Sequence, residues 1–135
     1  MAYHRLYVHL VWTTRDRRPT IDRTAAALLA EQLPIIAKQE RARILELGIV
    51  STHVHLALRL HPATAMPRLV QRVKGTTSFS LRATHRRGHK LLWAPGYSIT
   101  SVSERAVADV CRYVAAQFDR HPREAIPGWM PASLK

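Results

Sequence analysis

The sequence predicts an α+β fold: a ferredoxin-like β-α-β-β-α-β core with an antiparallel sheet, followed by one further helix. Three observations carry that expectation. Residues 3–13 and 51–60 alternate apolar and polar side chains at the period of a strand. A second apolar stretch at 41–50 turns into the latter almost at once, as a hairpin does. The segments after the first and third of these strands repeat apolar residues at the spacing of an amphipathic helix. The ferredoxin-like arrangement is the economical packing of that order, and it sets the first strand beside the third.

In the first strand His4, Leu6, Val8, Leu10 and Trp12 point one way; Tyr3, Arg5, Tyr7, His9 and Val11 point the other. Thr14 to Pro19 reads as a basic loop. Asp22 is placed to cap a helix carrying Ala25, Leu28, Leu29, Leu33, Ile36 and Ala37, which Pro34 should kink. Ile44, Leu45, Leu47, Ile49 and Val50 mark the second strand. In the third, Val54, Leu56, Leu58 and Leu60 form a buried face, and His53 and His55 project together from the other. That face is left free for the last helix or a ligand.

Pro62 ends the strand, and Met66, Leu69, Val70 and Val73 then recur at helical spacing, with Arg68, Gln71, Arg72 and Lys74 on the opposite side. Gly75 weakens or ends this helix; Phe79 and Leu81 can continue it. Thr84 to Lys90 reads as a second basic loop, and residues 91–102 as extended, with a turn or bulge at Pro95-Gly96. The last helix is expected to start near Ser101 or Ser103, Ser101 and Glu104 having capping-box spacing, and to reach about Phe118. Val107, Val110, Cys111, Val114 and Phe118 make its buried stripe, while Asp109, Tyr113 and Gln117 share another face. Residues 119–135, with Pro122, Pro127 and Pro131, read as an irregular tail pinned by Trp129 within a single domain spanning 1–135.

Lys and Arg number 21 against 9 Asp and Glu, a net charge of +12. Such an excess favours a polyanionic partner, nucleic acid first. No run approaches the roughly 18 apolar residues of a membrane span, no signal peptide is expected at the N-terminus, and the single cysteine, Cys111, suits a reducing cytoplasm.

Two imidazoles two residues apart on one strand face are close enough to share a divalent ion. His9 should lie on that same face as a polar neighbour. Taken singly, Tyr113 is also what an amphipathic residue at a core edge looks like, and Gln117 what a solvated helix residue looks like. Taken in order, His53-Val54-His55, Val73-Lys74-Gly75-Thr76-Thr77-Ser78, Trp93-Ala94-Pro95-Gly96-Tyr97-Ser98, Ser101-Val102 and Tyr113-Val114-Ala115-Ala116-Gln117 form a set. It resembles the single-tyrosine transposases of the IS200/IS605 type, in the HUH endonuclease superfamily, from about Tyr3 to Gln117.

The resemblance implies a homodimer that cleaves and rejoins single-stranded DNA bearing a hairpin. His53, His55 and Gln117 match the metal ligands, and Tyr113 matches the nucleophile. One position departs: the family commonly has an acidic residue before the first histidine, where this chain has Thr52. Imidazole, amide and phosphate ligands suit Mg²⁺ or Mn²⁺; neither ATP nor another nucleotide cofactor is required. Arg68, Arg72, Lys74, Arg86, Arg87 and Lys90, with Arg15, Arg17, Arg18 and Arg82, are candidates to bind DNA phosphates. Trp93, Tyr97 and Phe79 are candidates to stack on unpaired bases, with core packing the favoured fate of Trp93. His4, His61, His85, His89 and His121 are assigned to solvent or DNA, and Cys111 is inert. Three readings stand beside the transposase: a resident REP-associated tyrosine nuclease of the same chemistry, a non-catalytic single-stranded DNA-binding protein, and a zinc hydrolase using water.

Overall fold

A computed structural model of the chain describes residues 4–84 and 93–129. The alternating segments form an antiparallel four-stranded sheet in the order β2-β3-β1-β4, the order of the expected ferredoxin-like core. Its strands are β1 (Leu6–Thr13), β2 (Arg43–Ile49), β3 (His53–Leu60) and β4 (Ser98–Val102). Helices α1 (Arg23–Gln39) and α2 (Met66–Thr84) follow β1 and β3. They cover one face, where Leu10, Trp12, Val54, Leu56 and Leu58 of the sheet meet Leu29, Leu33 and Ile36 of α1 and Leu69, Val73 and Leu81 of α2.

The local reasons match the sequence. The Asp22 carboxylate accepts a hydrogen bond from the Ala25 N–H at 2.8 Å, capping α1. Pro34 lies inside α1 without ending it, at an exposed position. Likewise α2 continues through Gly75, because Thr77 and Leu81 beyond it are buried in the core. Their burial outweighs the cost of about 1 kcal/mol for a helical glycine. Trp93 packs against the core, edge-on to Trp12, and its Nε1–H donates to Thr77. Gly96 sits at φ 81°, marking the expected turn before β4.

The last helix departs from expectation. Ser101 belongs to β4, paired with Val8; the helical path begins at the other expected start, Ser103, whose side chain makes no capping bond, with a 3-10 turn at Glu104–Ala106 leading into α3 (Val107–Ala115). The helix then breaks at Ala116, and one further turn forms α4 (Gln117–Arg120). No glycine or proline marks that break. Val107 and Val110 of α3 line a small cavity with Tyr7, Leu45, Ala57 and Val102, so the helix lies across the histidine face of the sheet. The tail is no loose appendage: Ile126 is buried in the core and Trp129 packs against it. None of the helices among the described residues is long and apolar enough to cross a membrane.

Gly48 of β2 is where helix and sheet come closest. A Cβ there would stand 2.1 Å from the Val114 carbonyl oxygen and 3.1 Å from Gln117 Cγ. Gly75 meets open space instead. Gly48→Ala is therefore expected to lose about 1–3 kcal/mol in urea unfolding, while Gly75→Ala gains about 0.5–1 kcal/mol by restricting the unfolded chain.

Candidate active site

Strand pairing sets the histidines. Val11 lies opposite His55 and Thr13 opposite His53 across β1 and β3, so His9, two residues from Val11, is the diagonal neighbour of His55. His9 Nε2 and His55 Nδ1 share a hydrogen bond of 2.8 Å, and the rings stack with centroids 5.0 Å apart. The His53 and His55 rings meet edge-on at 4.9 Å.

From above, α3 brings the Tyr113 ring to 5.8 Å from His9 and 5.9 Å from His55. Arg120 of α4 stacks its guanidinium 4.5 Å over the Tyr113 ring. The break at Ala116 does not separate Tyr113 from Gln117, whose Nε2–H donates to the Tyr113 carbonyl at 3.0 Å. Gln117 is only 1% exposed, which removes the reading of it as a solvated helix residue. Asp109, the third member of the spacing, is exposed and paired with Arg112 instead.

Burial decides the electrostatics. His53 and His55 are 4% and 6% exposed. Desolvation lowers the pKa of His53, against contact with the Gln117 amide and the Glu124 charge, which raise it. Desolvation first, then repulsion from His53, His9 and His121, lowers His55 to about 3. His9 is lowered by burial as well. All three imidazoles are therefore neutral at physiological pH, the form that binds a cation.

The residues fit a divalent ion on one observation in particular. Gln117 Oε1 is buried without a hydrogen-bond partner among the described residues, close enough to His53 to favour that ring's protonated form. A buried carbonyl oxygen beside two neutral imidazoles has the chemistry of a donor set for a divalent cation. His53, His55 and Gln117 are the residues that would hold it.

The structure adds residues that sequence reasoning missed. His121, assigned to solvent, packs edge-on to His53 with centroids 5.2 Å apart. Glu124, in the irregular tail, approaches both. One donor atom from each of His53, His121 and Glu124 lies within 4.8 Å of the others. Nothing in the sequence marks them, since about seventy residues separate Glu124 from the strand it meets.

The basic residues divide. Arg68 and Arg72 both pair with Glu40 at 2.8 Å, on the helical side of the sheet away from the histidines. Lys74 donates to the carbonyls of Ala94 and Gly96 at 2.8 and 2.6 Å, tying α2 to the segment before β4. Arg86, Arg87 and Lys90, with the whole basic loop from His85, lie outside the described residues. Phe79 is 67% exposed and Tyr97 39%, so both keep a free aromatic face. Burial raises the Cys111 thiol, consistent with an inert role.

Residues 2–117 match the family model described as "Transposase IS200 like". The ISDra2 transposase TnpA of Deinococcus radiodurans is 28% identical over 122 residues, 87% of this chain and 87% of that protein. A solved structure from the same organism, described as a transposase, superposes with a TM-score of 0.68 at 27% identity. It covers 86% of this chain and 93% of its own. A REP-associated tyrosine transposase bound to a REP hairpin shares the fold, with a TM-score of 0.71 at 14% identity over 90% of this chain and 72% of its own.

The buried imidazoles give the metal-free protein a defined pH dependence. Unfolded, His55 protonates near 6.5; folded, near 3. Between these values the unfolded state binds more protons, so stability is full above the window and is lost as pH falls into it. In EDTA, melting temperature should fall steadily from about pH 7 towards about pH 4, and His55→Gln should flatten that slope.

Proposed function

The chain belongs to the IS200-like transposases, and from that membership we propose that it cleaves and rejoins single-stranded DNA through Tyr113. One observation carries the reading: α3 sets Tyr113 against His55, and just past the break α4 buries Gln117 beside His53, its Oε1 without a partner among the described residues. A structural histidine pair would have no use for a buried amide oxygen left without a donor.

The chemistry follows from the residues. A phenol with a pKa of about 10 is ionised to about one part in a thousand at neutral pH, a deficit of roughly 4 kcal/mol. His53, His55 and Gln117 would hold a divalent ion, Mg²⁺ or Mn²⁺, which would supply charge neutralisation at the scissile phosphate. Tyr113 Oη gives up its proton and attacks phosphorus; the P–Oη bond forms, the P–O3′ bond breaks, and the 3′ oxygen takes up one proton from solvent and leaves as a hydroxyl, so no net proton is consumed. The product is a 5′-phosphotyrosine link that keeps an ester's reactivity, so a second 3′-hydroxyl reverses the step and joins new ends. No nucleotide cofactor enters. Arg120, stacked on the Tyr113 ring, restricts that ring and adds positive charge beside it.

The net charge of +12 and the exposed Phe79 and Tyr97 support a single-stranded DNA substrate. Arg86, Arg87 and Lys90 are proposed to contact phosphates. Lys74, Arg68 and Arg72 do so only where DNA competes with the bonds they already make. A hairpin in the DNA and a homodimer are proposed from membership in the family, and β4, a short edge strand with Ile99 exposed, supports the second. The same chemistry serves a mobile element or a resident REP-associated role.

Covalent capture tests this. Labelled single-stranded DNA containing the gene's flanks is incubated with Mg²⁺, Mn²⁺ or EDTA and run on denaturing gels. A metal-dependent adduct is expected for the wild type and none for Tyr113→Phe or His55→Ala. An adduct persisting in Tyr113→Phe would remove the tyrosine from its role; tight binding without any adduct would make this a binding protein.

A further inference from the structure

Thr52, next to His53 in sequence, meets a carboxylate that comes from the far end of the chain. Thr52 Oγ1 lies 2.9 Å from His53 Nδ1 and donates its hydrogen to Glu124 Oε1 at 2.8 Å. We propose that Glu124, acting through the Thr52 hydroxyl, is the positioning group that holds His53 as its Nδ1–H tautomer and leaves the Nε2 lone pair free for the divalent ion. The inference rests on the metal reading above for its purpose, though not for its geometry.

A hydroxyl has one hydrogen, and an ionised carboxylate only accepts. With that hydrogen given to Glu124, Thr52 turns lone pairs towards His53, so Nδ1 must bring the hydrogen of that contact. A neutral imidazole protonated at Nδ1 has its lone pair at Nε2. Glu124 cannot do this alone, because its Oε2 lies 3.9 Å from His53 Nδ1, beyond hydrogen-bonding distance. The hydroxyl is the necessary link.

Both members are fixed through their backbones. The Thr52 carbonyl accepts from the Thr14 N–H at 2.8 Å and from the Thr14 hydroxyl at 3.1 Å. The Ser51 N–H donates to the Glu124 carbonyl at 2.8 Å, and Ile126, two residues on, is buried in the core. Arg17 and His121 flank the Glu124 carboxylate at 4.0 and 3.5 Å. His9 engages the Nδ1 of His55 at 2.8 Å. His53 and His55 are thus each held at Nδ1 by a neighbour, Thr52 and His9, as outer-shell partners hold metal-binding imidazoles.

Two measurements on the intact chain test the relay. Long-range ¹H–¹⁵N NMR of the metal-free wild type should find His53 protonated at Nδ1, and finding it at Nε2 would overturn the proposal without any variant. Mn²⁺ affinity, read by EPR, should weaken roughly 10- to 100-fold in Thr52→Val and Glu124→Ala and recover in Thr52→Ser, which restores the hydroxyl. Affinity lost in Glu124→Ala but kept in Thr52→Val would make Glu124 a direct ligand and overturn the relay. A wild type that binds no Mn²⁺ yet holds the Nδ1–H tautomer supports the hydrogen-bond relay while overturning the metal reading.

Discussion

At Gly48 the backbone of β2 and the carbonyl of Val114 approach more closely than any side chain at that position would allow. The rest of the site depends on that contact. Gly48 lies opposite His55 in the sheet, so the missing Cβ opens room just where the helix must come down beside the histidines. A helix held one side chain further out would leave Gln117 short of His53 and Tyr113 short of His9 and His55. Glycine in a strand interior usually weakens the strand. Here it gives the tyrosine helix a seat on the polar face of the sheet.

That seating changes what the histidines are. On an open sheet face, His53 and His55 would be solvated and would titrate near neutrality. Covered by α3 and α4, they lose water, and their mutual repulsion adds to the penalty on a charged ring. The consequence is a crowded group of neutral imidazoles, each held by a neighbour: His55 by His9, His53 by Thr52. Such a group is stable without charge and carries lone pairs for a cation. Dehydration and ligand readiness are two results of one packing event.

The positive charge of the chain is not uniformly available to DNA. Glu40 engages Arg68 and Arg72, and two backbone carbonyls engage Lys74, so part of the basic composition stabilises α2 against α1 and against the segment before β4. The family-like Lys74-Gly75 pair thus has a structural use visible in the fold, with Lys74 anchoring a loop and Gly75 exposed on the outer face of α2. Charge counting found the polyanionic preference. It did not find which cations are spoken for.

The sequence alone determined the first three strands and the common face of His53, His55 and His9, because strand alternation is a local rule that each residue obeys through its own backbone; the order of elements along the chain pointed to the ferredoxin-like sheet. It also set Tyr113 and Gln117 one helical turn apart, for the same reason at a different period. Tertiary structure decided everything that depends on distance in space rather than along the chain. Ser101 was drawn into β4 by pairing with Val8, the last helix broke at Ala116 with no residue to announce it, and Gln117 turned inward beside His53. His121 and Glu124, unremarkable in an irregular tail, arrived at the strand only because Ile126 and Trp129 fasten that tail to the core. Periodicity says which way a side chain points; only packing says what it meets.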